Sequence, residues 1–142
     1  MAATHTIETR FGRFTADAAD IVTMAEGLPG FERCRRFVLV SAPAIQPFTC
    51  FQGLDEPRPS FLAIDPRLAE PRFSESLTPV DQTRLETADG EPLLWLAFVQ
   101  LTGDAATVNL RAPIVINPAR MIGLQAMPLD SPYAIDHPLR LD

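Results

Sequence analysis

Fourteen prolines are scattered through this 142-residue chain, about twice the ordinary usage of ~5%. Proline locks φ, lacks a backbone N–H and disrupts a helix from within. These prolines are not massed in a linker, so they cut the chain into short segments. Short segments favour strands, which need only a few residues, over helices, which need more. No internal repeat or low-complexity tract interrupts the pattern.

The segments read as follows. Thr6 to Phe11 alternates, with Ile7, Thr9 and Phe11 on one face and Glu8 and Arg10 on the other. That is the period-two mark of a half-buried strand. Gly12 permits a tight connection into Arg13-Phe14-Thr15. Ile21 to Met24 is a short strand, and Phe48 to Gln52 lies between Pro47 and Gly53. Phe37 to Val40 and Phe61 to Ile64 are continuous apolar runs. Leu93 to Leu101 is the longest apolar segment, and the turn signals Asp89-Gly90 and Thr102-Gly103-Asp104 around it favour a strand. Val108 to Asn117 is β-rich, and Pro113 within it belongs at a sheet edge or a bulge. Ile122 to Met127 adds one more strand. One helix is expected from Pro79 to about Glu86, with Thr78 as N-cap and Asp81 at N3. Many short strands separated by turns predict a mainly β chain: a small antiparallel β-barrel-like single domain over residues 1–142 with one short helix. Closure would also remove exposed strand edges.

Composition narrows the chemistry. The net charge is −6, and all twelve basic residues are arginine. An acidic balance lacks the basic footprint of nucleic-acid binding and disfavours an anionic membrane surface. It suits a basic protein partner, which it would attract over distance. Without lysine there is no Schiff-base or P-loop lysine chemistry. The N-terminus has no apolar signal region, and the longest apolar run, Leu93 to Val99, is far below the ~20 residues that span a bilayer. The expected location is the cytoplasm. Cys34 and Cys50 form no metal or redox spacing and read as buried free thiols. The two histidines, His5 and His137, are isolated, so neither a zinc site nor a nucleophile–base pair is indicated. No catalytic residue, metal ligand or cofactor is expected. Two rivals remain: a nucleic-acid-binding small β-barrel, which would need a basic aromatic groove, and a small hydrolase using Cys50, with His137, or carboxylates.

Three places could meet a protein partner. Gly27-Leu28-Pro29-Gly30-Phe31 places Pro29 and Gly30 at the central positions of a type II turn, which could present Leu28 or Phe31. Asp55 and Glu56 sit at the end of a strand, as a solvated turn or a rim contact. From Asp65 to Glu91, seven carboxylates face three arginines. Glu70 and Glu75 lie there, on a solvated acidic face or a docking surface for a basic protein.

Taken in order, several blocks resemble the FliW family. They are Phe11-Gly12, Glu26-Gly27-Leu28-Pro29-Gly30-Phe31-Glu32, Leu54-Asp55-Glu56-Pro57 and Asp65-Pro66. The most distinctive is Asn109-Leu110-Arg111-Ala112-Pro113-Ile114-Val115-Ile116-Asn117-Pro118. Gly123-Leu124-Gln125, Asp130-Ser131-Pro132-Tyr133 and His137-Pro138-Leu139 complete the match. Asp136 departs from it, standing where the family commonly has a basic residue. The resemblance implies a barrel-like β-fold and a role in flagellin homeostasis. FliW proteins bind cytoplasmic flagellin near its C-terminal helical region. When free they bind CsrA, a small basic repressor of flagellin translation, and restrain it from outside its RNA-binding face. The expected partners are therefore flagellin and a CsrA-type regulator, met by a protein that is a monomer when free. Asn117 joins Leu28, Phe31, Asp55, Glu56, Glu70 and Glu75 as a candidate protein-contact residue.

Overall fold

A strand that is apolar on both faces needs cover on both sides, and this requirement shapes the molecule. The computed structural model describes residues 4–140. The strands are β1 (Thr4–Thr9), β2 (Gly12–Asp17), β3 (Ile21–Met24), β4 (Arg36–Val40), β5 (Thr49–Gly53) and β6 (Ser60–Ile64). They continue with β7 (Leu94–Thr102), β8 (Ala105–Val108), β9 (Ile114–Asn117), β10 (Ile122–Gln125) and β11 (His137–Pro138). Two short helices, α1 (Pro66–Ala69) and α2 (Pro79–Arg84), lie between β6 and β7.

Seven of the strands close into a ring in the order β3, β4, β5, β6, β7, β9, β10 and back to β3. Strand directions cannot alternate all the way around an odd ring, so at least one pair must run parallel. That pair is β3–β10, with Thr23 opposite Ile122 and Met24 opposite Gly123. The barrel is therefore mixed, which corrects the expectation of a purely antiparallel sheet. Long β7 forks: Leu94–Leu96 pairs with β9, while Val99–Thr102 pairs with β8.

Alternation sends one set of side chains into the barrel. Val22, Met24, Phe37, Phe51, Ala63, Leu96, Ile114 and Ile116 form its interior. Phe37 stacks on Phe51 at 4.4 Å and Phe61 on Phe98 at 4.5 Å. Three covers seal the outside. The β1–β2 hairpin lays Ile7, Phe14 and Ala16 against Val38, Val40 and Cys50. Phe73, Leu110 and Tyr133 cover Ile64, Ala97 and Val108. Leu85, at the end of α2, packs on Val115 and Leu124. Both faces of the central strands are thus buried, which is why they read as unbroken apolar runs.

The predicted helix is present, with the Thr78 hydroxyl accepting from the Asp81 N–H at 3.1 Å. A second short helix, α1, was not expected. Asp65 caps it by accepting from the Arg67 N–H at 2.9 Å, and Pro66 fills its first turn. The β-rich stretch from 108 to 117 is not one element. The Asn109 side-chain Oδ1 accepts from the backbone N–H of Arg111 and of Ala112, both at 3.1 Å, and this local turn breaks the strand. Pro113 falls in the break, just before β9, rather than inside a strand.

Candidate protein-docking surface

The Gly27–Phe31 segment forms the type II turn that its sequence predicts. The Phe31 N–H donates to the Leu28 carbonyl at 2.8 Å, and Gly30 has φ +84°. A Cβ on Gly27 would come within 2.5 Å of the Glu32 backbone, so only glycine permits this fold-back. The turn stoppers the barrel. Leu28 is 2% exposed and packs with the interior, so its expected part as a surface contact gives way to one in the core. Phe31 is half-buried, edge-on to Phe61 at 5.4 Å. The Glu32 carboxylate accepts from the Gly30 N–H at 2.8 Å, and that backbone hydrogen bond lowers its pKa.

Asp55 and Glu56 diverge. Asp55 Oδ1 accepts from Arg36 Nη2 at 2.8 Å and Nε at 3.2 Å; Oδ2 accepts from the backbone N–H of Arg35 and Arg36 at 3.1 and 3.0 Å. The Arg36 side chain, with support from these backbone donors, holds the Asp55 carboxyl below its ordinary range. This carboxylate ties the loop after β5 to the start of β4 and has little capacity left for a partner. The Glu56 side chain is 82% exposed, 3.3 Å from Arg58, and is free to meet one.

Asn117 is fully buried. Its Nδ2 donates to the Leu85 carbonyl at 2.9 Å, and its Oδ1 accepts from the Ala119 N–H at 3.0 Å. It joins β9 to the end of α2, so its expected surface role is replaced by a structural one.

Glu70 and Glu75 are both half-buried. Glu70 accepts from the Arg72 N–H at 3.2 Å. Glu75 lines a depression of about 450 Å³ with Asp89, Glu91, Arg67 and Trp95. Its Oε2 is sealed from solvent and has no hydrogen-bond partner among the described residues. The structure thus gathers three carboxylates of the acidic stretch around one depression and leaves one oxygen unmatched.

Among the described residues the rival chemistries do not assemble. Cys50 is buried beneath the β1–β2 hairpin, and burial pushes its thiol pKa up, away from a reactive thiolate. His137 lies elsewhere, with Nε2 3.2 Å from the Ala69 carbonyl. Arg13, Arg36, Arg58, Arg84 and Arg120 each sit beside a carboxylate, so they form no basic stripe. No helix among the described residues is long and apolar enough to cross a membrane.

Sequence reasoning passed over one feature. Met127, Leu129 and Ile135 are 57%, 97% and 65% exposed. Leu129 and Ile135 lie in a proline- and aspartate-rich stretch with no strand or helix period to bury them, and Met127, expected at the end of a strand, falls beyond β10, which stops at Gln125.

The family model described as FliW protein matches residues 5–139. The flagellar assembly factor FliW of Geobacter sulfurreducens is 34% identical over 132 residues, covering 92% of this chain and 82% of that protein. That of Syntrophus aciditrophicus is 34% identical over 129 residues, covering 89% and 82%. A crystal structure of a flagellar assembly factor FliW superposes with a TM-score of 0.84 at 28% identity, covering 96% of this chain and 98% of that one. The chain belongs to the FliW family, whose members are non-enzymatic.

Proposed function

We propose that this protein is a cytoplasmic flagellar assembly factor, monomeric when free, that binds flagellin before export. Once flagellin leaves, the freed protein binds a CsrA-type translational regulator and antagonises it, so flagellin synthesis follows export. Family membership supports the role in flagellar assembly. One observation carries the choice of a basic partner. Glu75, Asp89 and Glu91 line one depression with the indole of Trp95 and a single arginine, Arg67. A cationic side chain from a partner would meet this acidic lining, and an aromatic wall favours such a cation. Opposite charge also speeds encounter and fixes orientation.

Switching requires only that one partner weakens the other by about 1–3 kcal/mol, a factor of roughly 5–150. The test is a titration of the regulator into the protein with and without saturating unpolymerised flagellin. The expected result is a weaker apparent affinity in that range when flagellin is present. Independent binding of the two, or no binding of the regulator, overturns the switch.

A further inference from the structure

The β1–β2 hairpin is a sheet of its own. Among the described residues no backbone-to-backbone hydrogen bond joins it to the barrel. Its ion pair, Glu8 with Arg13, is internal. Two polar contacts pin it: the Arg10 N–H donates to Ser60 Oγ at 3.1 Å, and the Thr9 side chain meets the Cys50 thiol. The rest of its hold is apolar, with Ile7, Phe11, Phe14 and Ala16 lying on Val38, Val40 and Cys50.

Cover and covered differ in burial. Val38, Val40 and Cys50 are 2%, 1% and 0% exposed. Of the residues above them only Ala16 is buried, while Ile7, Phe11 and Phe14 stay half-buried. Two depressions, of about 390 and 320 Å³, reach under the hairpin, and Ile7 and Leu54 line both. The chain enters the barrel through Ala18–Asp20, a single 3-10 turn with no buried residue. Lifting the hairpin breaks no pairing of the ring, because β4 keeps β3 and β5 as neighbours and β5 keeps β4 and β6. A unit with few buried contacts and no shared ladder opens at a lower free energy than the whole domain. A two-stranded sheet by itself is only marginally stable.

We propose that the β1–β2 hairpin is a flap that swings away about Ala18–Asp20 while the seven-stranded ring stays closed, uncovering an apolar strip of Val38, Val40 and Cys50. The strip runs along β4 and crosses to β5, where Val40 pairs with Cys50. The closed flap keeps it from water, so whatever touches the strip selects the open state and shifts the population toward it. Cys50 lies under the flap and so reports its opening.

Alkylation of the full native chain with iodoacetamide, read at each cysteine by mass spectrometry, tests the flap. The thiol gives up its proton and its sulfur displaces iodide, forming a carbon–sulfur bond. When opening and closing are fast, the rate at each site follows the population of its open form. Cys34 is equally buried but sits in the barrel interior, where no hairpin residue packs, and serves as the internal control. Cys50 should react at least tenfold faster than Cys34. Phe14→Ala removes a ring that helps hold the flap down, and should speed Cys50 at least threefold further with Cys34 unchanged. Hydrogen exchange should release β1 and β2 together while β4 and β5 stay protected. Equal rates at the two cysteines, labelling of neither below the melting transition, or β5 amides exchanging in step with Cys50 labelling would each overturn the flap. A Phe14→Ala chain that folds but leaves the Cys50 rate unchanged would do the same, and the wild-type comparison stands without that variant.

Discussion

Replacing Asn117 with alanine separates a structural from a surface role for that residue. Asn117→Ala deletes the donor to the Leu85 carbonyl at 2.9 Å, a weaker one to Glu86 at 3.4 Å, and the acceptor for the Ala119 N–H at 3.0 Å. Leu85 is fully buried, so its carbonyl is left without a partner. Each buried polar group stranded in this way costs about 1–3 kcal/mol. Ala119 is exposed, and water takes up its N–H at little cost. The sum is about 1–3 kcal/mol. At about 2.1 cal/mol/K per residue, a chain of this size loses roughly 3 °C per kcal/mol, so the melting point should drop by about 3–9 °C. Asn117→Asp keeps the acceptor for Ala119 but turns an oxygen toward the Leu85 carbonyl, and should destabilise at least as much. Calorimetry checks both, with urea unfolding at unchanged m-value as the second measure. An alanine variant that melts within about 2 °C of wild type yet loses a partner would refute the reasoning and return Asn117 to the surface.

Three further outcomes follow from the same geometry. A Cβ on Gly123 meets Val22 Cγ1 at 3.0 Å and the Ile116 and Met24 side chains at 3.2 Å. Gly123→Val should therefore cost about 1–3 kcal/mol by overpacking the barrel, read from the urea midpoint. Asp55 is held below its ordinary value of 3.8 by Arg36. Its stabilisation is present above that value and lost as pH falls through the lower folded pKa; Asp55→Asn should remove that part of the acid-limb slope in a pH series of melts. Glu70→Arg with Glu75→Arg should weaken binding of a CsrA-type regulator and reduce its salt dependence. Matching titrations at low and high salt check this, and unchanged curves remove the acidic depression from the interface.

Local signals made the fold legible. Alternation located β1, and apolar runs located β4, β6 and β7. Cap and turn chemistry located α2 and the Leu28–Phe31 turn. The same cap logic, Asp65 followed by Pro66, would also have found α1. The parallel β3–β10 pair was not legible, because it follows from the number of strands in the closed ring and not from any stretch of chain. Site residues were harder. Leu28, Asp55 and Asn117 stood out in the sequence, but the structure uses them to stopper the barrel, clamp two strands and tether α2. Ile135 and Leu129 carry no motif, and their placement depends on Arg111 and Tyr133 anchoring the loop from a distance. Glu75 was named for its charge; the depression it shares with Asp89, Glu91 and Trp95 appears only in the folded chain.

Calorimetric titration of the intact protein with unpolymerised flagellin at several temperatures tests the docking role most directly. The account predicts saturable binding with a negative heat-capacity change, as burial of apolar surface requires. No saturable heat at any concentration at which flagellin stays unpolymerised would contradict it.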